Sequence, residues 1–170
     1  MKNLLLVLLT FSFYSCSNNY SSILKDLSKN HVLIKDNIDE SLYFEYFELN
    51  KEEYSKLLIE YKEGIKNFYN SDKEIIDYLL EFKSNKNELC SWIKTKNPYS
   101  SEINESDIVS KSRGALLLID NYLSNSNFEK IESTFFIKNL SYETFMKFYK
   151  NNKDLNKNQL RRAYVKHFTQ

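Results

Sequence analysis

The chain has 170 residues, of which 42% are hydrophobic, and this length and composition predict one folded domain. Its 24 Lys and Arg residues against 23 Asp and Glu residues leave a net charge of +1 at pH 7. Gly64 and Gly114 are the only glycines and Pro98 is the only proline, which excludes the glycine-rich loops that hold nucleotide phosphates. His31 and His167 stand far apart without a CxxC or HExxH motif, so a zinc or iron site is excluded and we expect neither a cofactor nor a metal.

A short apolar segment opens the chain. One lysine precedes an apolar run at residues 4–11, which is too short to span a membrane because a spanning helix needs about 20 residues. The residues FYSC follow at positions 13–16. This segment resembles the lipobox of bacterial lipoproteins, in which a small residue precedes a cysteine that receives diacylglycerol and becomes the mature N-terminus. The resemblance covers residues 1–16 and implies a signal peptide at residues 1–15, a lipid on Cys16 and a place on the bacterial cell envelope.

Two other outcomes are open for this leader. Residues 15–17 also satisfy the small-x-small rule of an ordinary secretory cleavage site, which would remove Cys16 and release a secreted or periplasmic protein. An uncleaved leader would instead stay as a weak anchor. If Cys16 carries a lipid, Cys90 has no partner for an intramolecular disulfide, and its position near Trp92 predicts a buried structural thiol.

The sequence after the leader divides into a tether and a domain. Residues 16–30 start with Ser and Asn, which is typical of a polar tether, although apolar residues from Ile23 onward could already belong to the fold. We expect residues 31–170 to form a single, mainly all-α domain of five or six helices. The segment at 42–47 could be either a helix or a strand.

The first clear helix begins at Asn50, because apolar residues then recur at steps of three and four. Residues 71–74 (SDKE) have the pattern of a capping box and predict the start of a second helix. A short turn at residues 89–93 and a loop at residues 94–105 follow. The side chains expected on the inner faces of the two helices are Tyr54, Leu57, Leu58, Tyr61, Ile65, Phe68, Tyr69, Ile75, Ile76, Leu79, Leu80 and Phe82.

The next helix should be the most enclosed one. It is expected to start at residues 106–107, and residues 115–119 are apolar almost all round, which is typical of a central helix. Gly114 has no side chain, so we expect a neighbouring helix or aromatic ring to approach it closely. Residues 124–127 (SNSN) end the helix. Residues 131–137 could form either a short strand or a buried irregular link.

Two further helices complete the predicted bundle. One begins at Ser141 and carries an aromatic face that includes Tyr142, Phe145, Met146 and Tyr149. The other begins near Asn156, where Gln159 stands three residues later as in a capping box, and it turns Leu160, Ala163, Tyr164 and Phe168 inward.

Charge is unevenly distributed along the chain. Residues 36–63 hold nine acidic and three basic residues, a net charge of −6, whereas residues 138–170 hold eight basic and two acidic residues, a net charge of +6. The basic region predicts a face for an anionic partner, which could be an acidic protein or an envelope polymer but not nucleic acid. The alternative is that the two regions pack together or are simply solvated.

Candidate partner-binding residues come from this basic region and from one loop. Aromatic residues are favoured at binding surfaces, and Pro98 stiffens the loop at residues 92–99; the alternative, which the sequence favours, is a structural tether with a buried Trp92. The candidates are Trp92, Lys94, Lys96, Tyr99, Arg161 and Arg162.

Two functional hypotheses follow. The first is a non-enzymatic module on the envelope that binds a protein partner; immunity proteins, which neutralise a rival's toxin, are one such family by analogy alone. The second is a hydrolase that uses paired carboxylates, such as Glu52 with Glu53 or Glu102 with Glu105. A carboxylate mechanism needs two acids held at a fixed separation across a cleft, and neighbouring helix residues do not provide this. We therefore expect no catalytic residues.

Overall fold

The computed structural model describes residues 19–29, 50–94 and 108–169 of the protein. These residues form six α-helices and one two-stranded sheet, as expected for a mainly helical domain. The elements in chain order are α1 (19–27), α2 (Lys51–Asn70), α3 (Glu74–Leu80), β1 (Leu89–Lys94), β2 (Ile108–Ser110), α4 (Lys111–Ser124), α5 (Tyr142–Asn152) and α6 (Lys157–Phe168). In the described ranges, no helix combines the length and apolar character that crossing a membrane requires.

Helix α1 belongs to the packed body. Ile23, Leu24 and Leu27 are all buried in the core. The helix crosses α2 closely at Gly64, where an added Cβ would lie 2.8 Å from the Cβ of Asp26. This helix, at residues 19–27, lies inside the segment 16–30 for which the sequence predicted a polar tether; the polar composition before Ile23 masked its short apolar face.

Helix α2 begins where the sequence indicated. The side chain of Asn50 accepts a hydrogen bond from the Glu53 amide (3.0 Å), and the Glu53 carboxylate accepts one from the Asn50 amide (2.9 Å). The capping box predicted at Ser71 is wrong. The Ser71 hydroxyl instead donates to the carbonyl of Phe68 (2.6 Å) at the end of α2, and α3 starts at Glu74 without a side-chain cap.

The turn predicted at residues 89–93 is also wrong, because this segment is strand β1. It pairs antiparallel with β2, and Leu89 lies opposite Ser110. The pairing takes up residues 108–110, so α4 begins at Lys111 and not at residue 106. The Ser110 hydroxyl caps α4 by accepting from a backbone amide in its first turn (3.2 Å).

Helix α4 is central, as predicted, and every residue from Gly114 to Leu123 is buried. A Cβ at Gly114 would overlap the thiol of Cys90 and stand 3.1 Å from the Cys90 Cβ. The expected close approach is thus confirmed, but the neighbour is a thiol on β1 and not a helix or a ring. Burial raises the pKa of the Cys90 thiol, which fits a structural role.

The connection from α4 to α5 is irregular, which settles the alternatives left open for residues 131–137. Side chains near the end of α4 accept hydrogen bonds from the backbone of this connection. The Asp120 carboxylate accepts from the Phe136 amide (2.6 Å), and the Asn121 side-chain oxygen accepts from the Glu132 amide (2.7 Å). Side chains of α4 therefore accept from backbone N–H groups of this link, which in a strand would be paired with a neighbouring strand.

Asp120, Asn121 and Asn125 are buried, and we call these three side chains the polar clasp. The Tyr164 hydroxyl on α6 donates to Asp120 (2.9 Å). The Asn125 amide group donates to the Tyr69 hydroxyl (2.8 Å) and to a carbonyl in the connection (2.9 Å). The clasp therefore joins α4 to α2, to α6 and to the irregular link.

Helices α5 and α6 begin at the predicted caps. Ser141 accepts from the amide of the third residue of α5 (3.2 Å), and Asn156 forms a capping box with Gln159. Their contact is aromatic, since the Tyr164 ring centroid lies 5.4 Å from that of Phe148. The sequence missed Phe148 as a core residue.

Candidate functional site: a basic cleft between α2 and α6

An open cleft of about 780 Å³ lies between the C-terminal half of α2 and the N-terminal half of α6. One wall comes from α2 residues spaced three and four apart, and the other comes from the first turns of α6. The connection after α4 adds Phe128 and Glu129. We call this the basic cleft, because four of the residues that line it are cationic, namely Lys62, Lys66, Lys157 and Arg161.

Lys157 is held at the end of α2. Its ammonium donates to the carbonyl of Ser71 (2.8 Å) and to that of Tyr69, and it stands 5.0 Å from the centroid of the Tyr122 ring. The C-terminal carbonyls of a helix carry partial negative charge, which a cation stabilises. Lys157 thus has a structural contact and still contributes its charge to the cleft.

Arg161 is fixed one helical turn further along. Its guanidinium donates to the carbonyl of Asn125 and lies over Phe128, with 4.4 Å from its central carbon to the ring centroid. The Phe128 ring in turn lies 5.2 Å from that of Tyr69. A guanidinium has five N–H donors, so the Asn125 carbonyl occupies a small part of its capacity.

Lys157 and Arg161 are partly buried and make no ion pair with a described carboxylate, although Glu129 also lines the cleft and the charge of Asp72 partly offsets the lowering of the Lys157 pKa. Burial lowers the pKa of Lys157, and the charge of Arg161 beside it lowers that pKa further. Burial also lowers the pKa of Arg161. The ion pairs found among the described residues involve neither of them. An anion entering the cleft would stabilise both charged forms.

Lys62 and Lys66 are exposed on α2 and stand four residues apart. Within the described ranges neither makes an ion pair. Like charges at this spacing on a helix cost roughly 0.2–0.5 kcal/mol. The two lysines therefore gain no ion pair from the described part of the chain that would offset this repulsion.

The structure describes residues 50–63 of the acidic region and residues 138–169 of the basic region. Residues 36–49 lie outside the described residues, and none of the ion pairs described joins residues 50–63 to residues 138–169. The basic region supplies Lys157 and Arg161 to the cleft. The other two cations come from α2, and one of them, Lys62, lies in the region that sequence counting marked as acidic.

Among the other candidate binding residues, Trp92 and Arg162 have described side chains, and neither lines this cleft. The Trp92 ring is half-buried and stacks edge-on against Phe82 with centroids 4.8 Å apart, which matches its structural alternative. Lys94 ends β1, and Arg162 is exposed on α6 but does not line the cleft. Lys96 and Tyr99 lie outside the described residues, as do Cys16 and the segment at 42–47.

Of the carboxylates paired from the sequence, Glu52 and Glu53 are described, and neither lines the basic cleft. Glu53 caps α2 and Glu52 is exposed beside it, while Glu102 and Glu105 lie outside the described residues. Asp120 is the one buried carboxylate in the described ranges, and burial raises its pKa against the effect of its hydrogen bonds. The same ranges contain no group of three or more metal-ligating side chains.

Comparison of the chain with protein-family models, with characterised proteins and with solved structures finds no match. Function is therefore argued from the basic cleft itself.

Proposed function

We propose that the protein is a non-enzymatic binding module that holds an acidic segment of a protein partner in the basic cleft. We further propose that a lipid on Cys16 anchors it to the bacterial cell envelope, as the lipobox resemblance implies. The observation that carries the binding proposal is the set of four cations around one cleft, which Glu129 also lines, with no ion pair to any of the four among the described residues. Carboxylates of a partner would form charge-assisted hydrogen bonds there.

Two of the cations are already ordered. Lys157 is held by carbonyls at the end of α2, and Arg161 is held by the Asn125 carbonyl and the Phe128 ring. Binding costs free energy when flexible side chains must be immobilised, roughly 0.5–1.5 kcal/mol for each. This cost is largely avoided for Lys157 and Arg161, which favours a site used for recognition. An immunity-type protein that neutralises an acidic toxin would be one module of this kind.

The binding proposal is tested by site-specific photo-crosslinking in cells that produce the full chain. A photo-reactive amino acid replaces Lys66 in the cleft or, as a matched control, exposed Lys138 outside it. We expect position 66 to crosslink an acidic segment of one protein and to lose that product when Arg161→Glu is added. Equal products at both positions, no product at 66, or a crosslinked segment without acidic residues would overturn the proposal.

The anchor is tested separately by metabolic labelling with an alkyne fatty acid. We expect label on the wild type and on Cys90→Ala, which keeps the proposed attachment site, and none on Cys16→Ala. A mature chain that begins after Cys16, or equal labelling of all three proteins, would refute the anchor and leave the cleft proposal standing.

A further inference from the structure

The four cations of the basic cleft form two rows. Lys62 and Lys66 are four residues apart on α2, and Lys157 and Arg161 are four residues apart on α6. Residues at this spacing lie on one face of a helix, about 5–6 Å apart between their Cβ atoms. Each wall of the cleft therefore carries two positive charges at the repeat of one helical turn.

Apolar surface lies between and beside these charges. Ile65 and Tyr69 line the cleft from α2 and are themselves buried. Phe128 keeps 47% of its surface exposed although Arg161 and Tyr69 stack against it. An occupant that presents acidic residues together with an apolar residue would meet both kinds of surface.

We propose that the occupant of the cleft is an acidic amphipathic helix of the partner, with carboxylates that repeat every three or four residues along one face. This inference rests on the proposed function, because it names the form of the acidic segment that the cleft binds. A helix in a groove places side chains at the same one-turn repeat as the two cation rows.

An extended strand fits the site less well. A strand must pair its backbone N–H and C=O groups with a sheet edge, and the described walls of the cleft are helices and an irregular turn. A helix satisfies its own backbone. A flat anionic membrane is also a poor match, because Lys157 and Arg161 are partly buried in the cleft wall and a concave site favours a rod-like segment.

Arg161 gives the site its geometric preference. Its planar guanidinium is held against Phe128, so the remaining N–H donors have a fixed plane in which a carboxylate can be bound by two parallel hydrogen bonds. A lysine at this position would keep the charge but lose that fork. Lys62 and Lys66 are exposed and supply long-range attraction without strict geometry.

The test measures fluorescence anisotropy of two labelled peptides of identical composition at low ionic strength. One has its glutamates on a single helical face with one leucine on that face, and the other distributes the same residues around the helix. We expect the full-length wild type to bind the first peptide about tenfold more tightly, which corresponds to about 1.4 kcal/mol. Arg161→Lys should reduce this preference severalfold, because a lysine keeps the charge and loses the planar fork.

Charge variants and vesicles separate the outcomes. Lys62→Glu/Lys66→Glu should lose binding of both peptides, whereas Lys86→Glu/Lys138→Glu, with the same change in net charge outside the cleft, should keep it. Equal affinity for the two peptides would overturn the helix inference and leave the acidic-partner proposal intact. Binding of neither peptide would overturn both, and phosphatidylglycerol vesicles that bind in their place would assign the cleft to a membrane.

Discussion

The polar clasp and the basic cleft both place polar groups away from water, but they differ in where those groups find partners. In the clasp, the Asp120 carboxylate accepts hydrogen bonds from Tyr164 and from the backbone amides of Phe136 and Ile137. In the cleft, Lys157 and Arg161 contact carbonyls and ring faces but no described carboxylate. Buried polarity with internal partners indicates a stabilising role, whereas clustered charge without an internal ion pair indicates a role in binding.

The two regions meet at Asn125. Its side chain donates to the Tyr69 hydroxyl, and its carbonyl accepts from Arg161. The clasp thus positions one wall of the cleft while its own polar groups stay internal. Variants of the clasp should therefore lower the free energy of unfolding, and variants of the cleft should lower the affinity for an acidic partner.

The largest effect on stability is expected for Asp120→Ala. The change removes the acceptor for the Tyr164 hydroxyl and for two backbone amides, so the free energy of unfolding should fall by about 3 kcal/mol. Urea unfolding followed by circular dichroism measures this. Exposed Asp154→Ala is the matched control and should change stability by less than about 0.5 kcal/mol. An equal, small change in both variants would contradict a structural clasp.

An intermediate effect is expected for Asn125→Ala, because this residue serves both regions. Its side chain makes three hydrogen bonds and the residue is 2% exposed, so we expect a loss of about 2 kcal/mol in the free energy of unfolding. Acidic-peptide affinity should also fall severalfold, since the connection that carries Phe128 loses its anchor. If peptide affinity were unchanged, the clasp would not position the cleft.

A smaller effect is expected in the pH dependence of the clasp. Burial raises the folded-state pKa of Asp120 above its value in the unfolded chain, so the folded state binds that proton more tightly. The resulting stability is fully present below the unfolded pKa, about 3.9, and is lost as pH rises towards the folded value. The wild type should therefore lose stability relative to Asp120→Asn as pH rises from about 4.

Urea midpoints of the two proteins across this pH range test the sign of the shift. The difference between them isolates Asp120, because other groups with raised values, such as Asp26, are common to both proteins. If the urea midpoints of the two proteins changed in parallel with pH, or if the wild type became more stable relative to Asp120→Asn as pH rises, a raised pKa of Asp120 would be contradicted.

Local signals in the sequence were the reliable ones. The helix starts at Asn50 and Ser141 followed from the apolar periodicity after them, and the cap at Asn156 was recognised because Gln159 stands three residues later; in the structure all three side chains accept from a backbone amide within three positions. Strand β1 was missed because it depends on pairing with β2 across an intervening segment. The cap at Ser71 failed because the hydroxyl had a competing acceptor in the preceding helix, which sequence spacing does not reveal.

The sequence predicted only one of the four cations of the basic cleft as a binding residue. Arg161 was singled out from the excess of positive charge in residues 138–170, but counting charge over a segment hid Lys62 in a region with net charge −6. Helical periodicity applied to charges would have shown Lys62 and Lys66 on one face of α2. Their position opposite Arg161 depends on how α2 and α6 pack, which is a tertiary property.

The central claim is that Lys62 and Lys66 serve binding and not folding, and Lys62→Glu/Lys66→Glu tests it most directly. The free energy of unfolding and the affinity for the acidic helical peptide are measured on this variant and on the wild type. We predict stability within about 0.5 kcal/mol of the wild type, because both side chains are exposed and make no ion pair among the described residues, and a loss of at least about tenfold in affinity. A stability loss of about 2 kcal/mol with unchanged affinity would contradict the account.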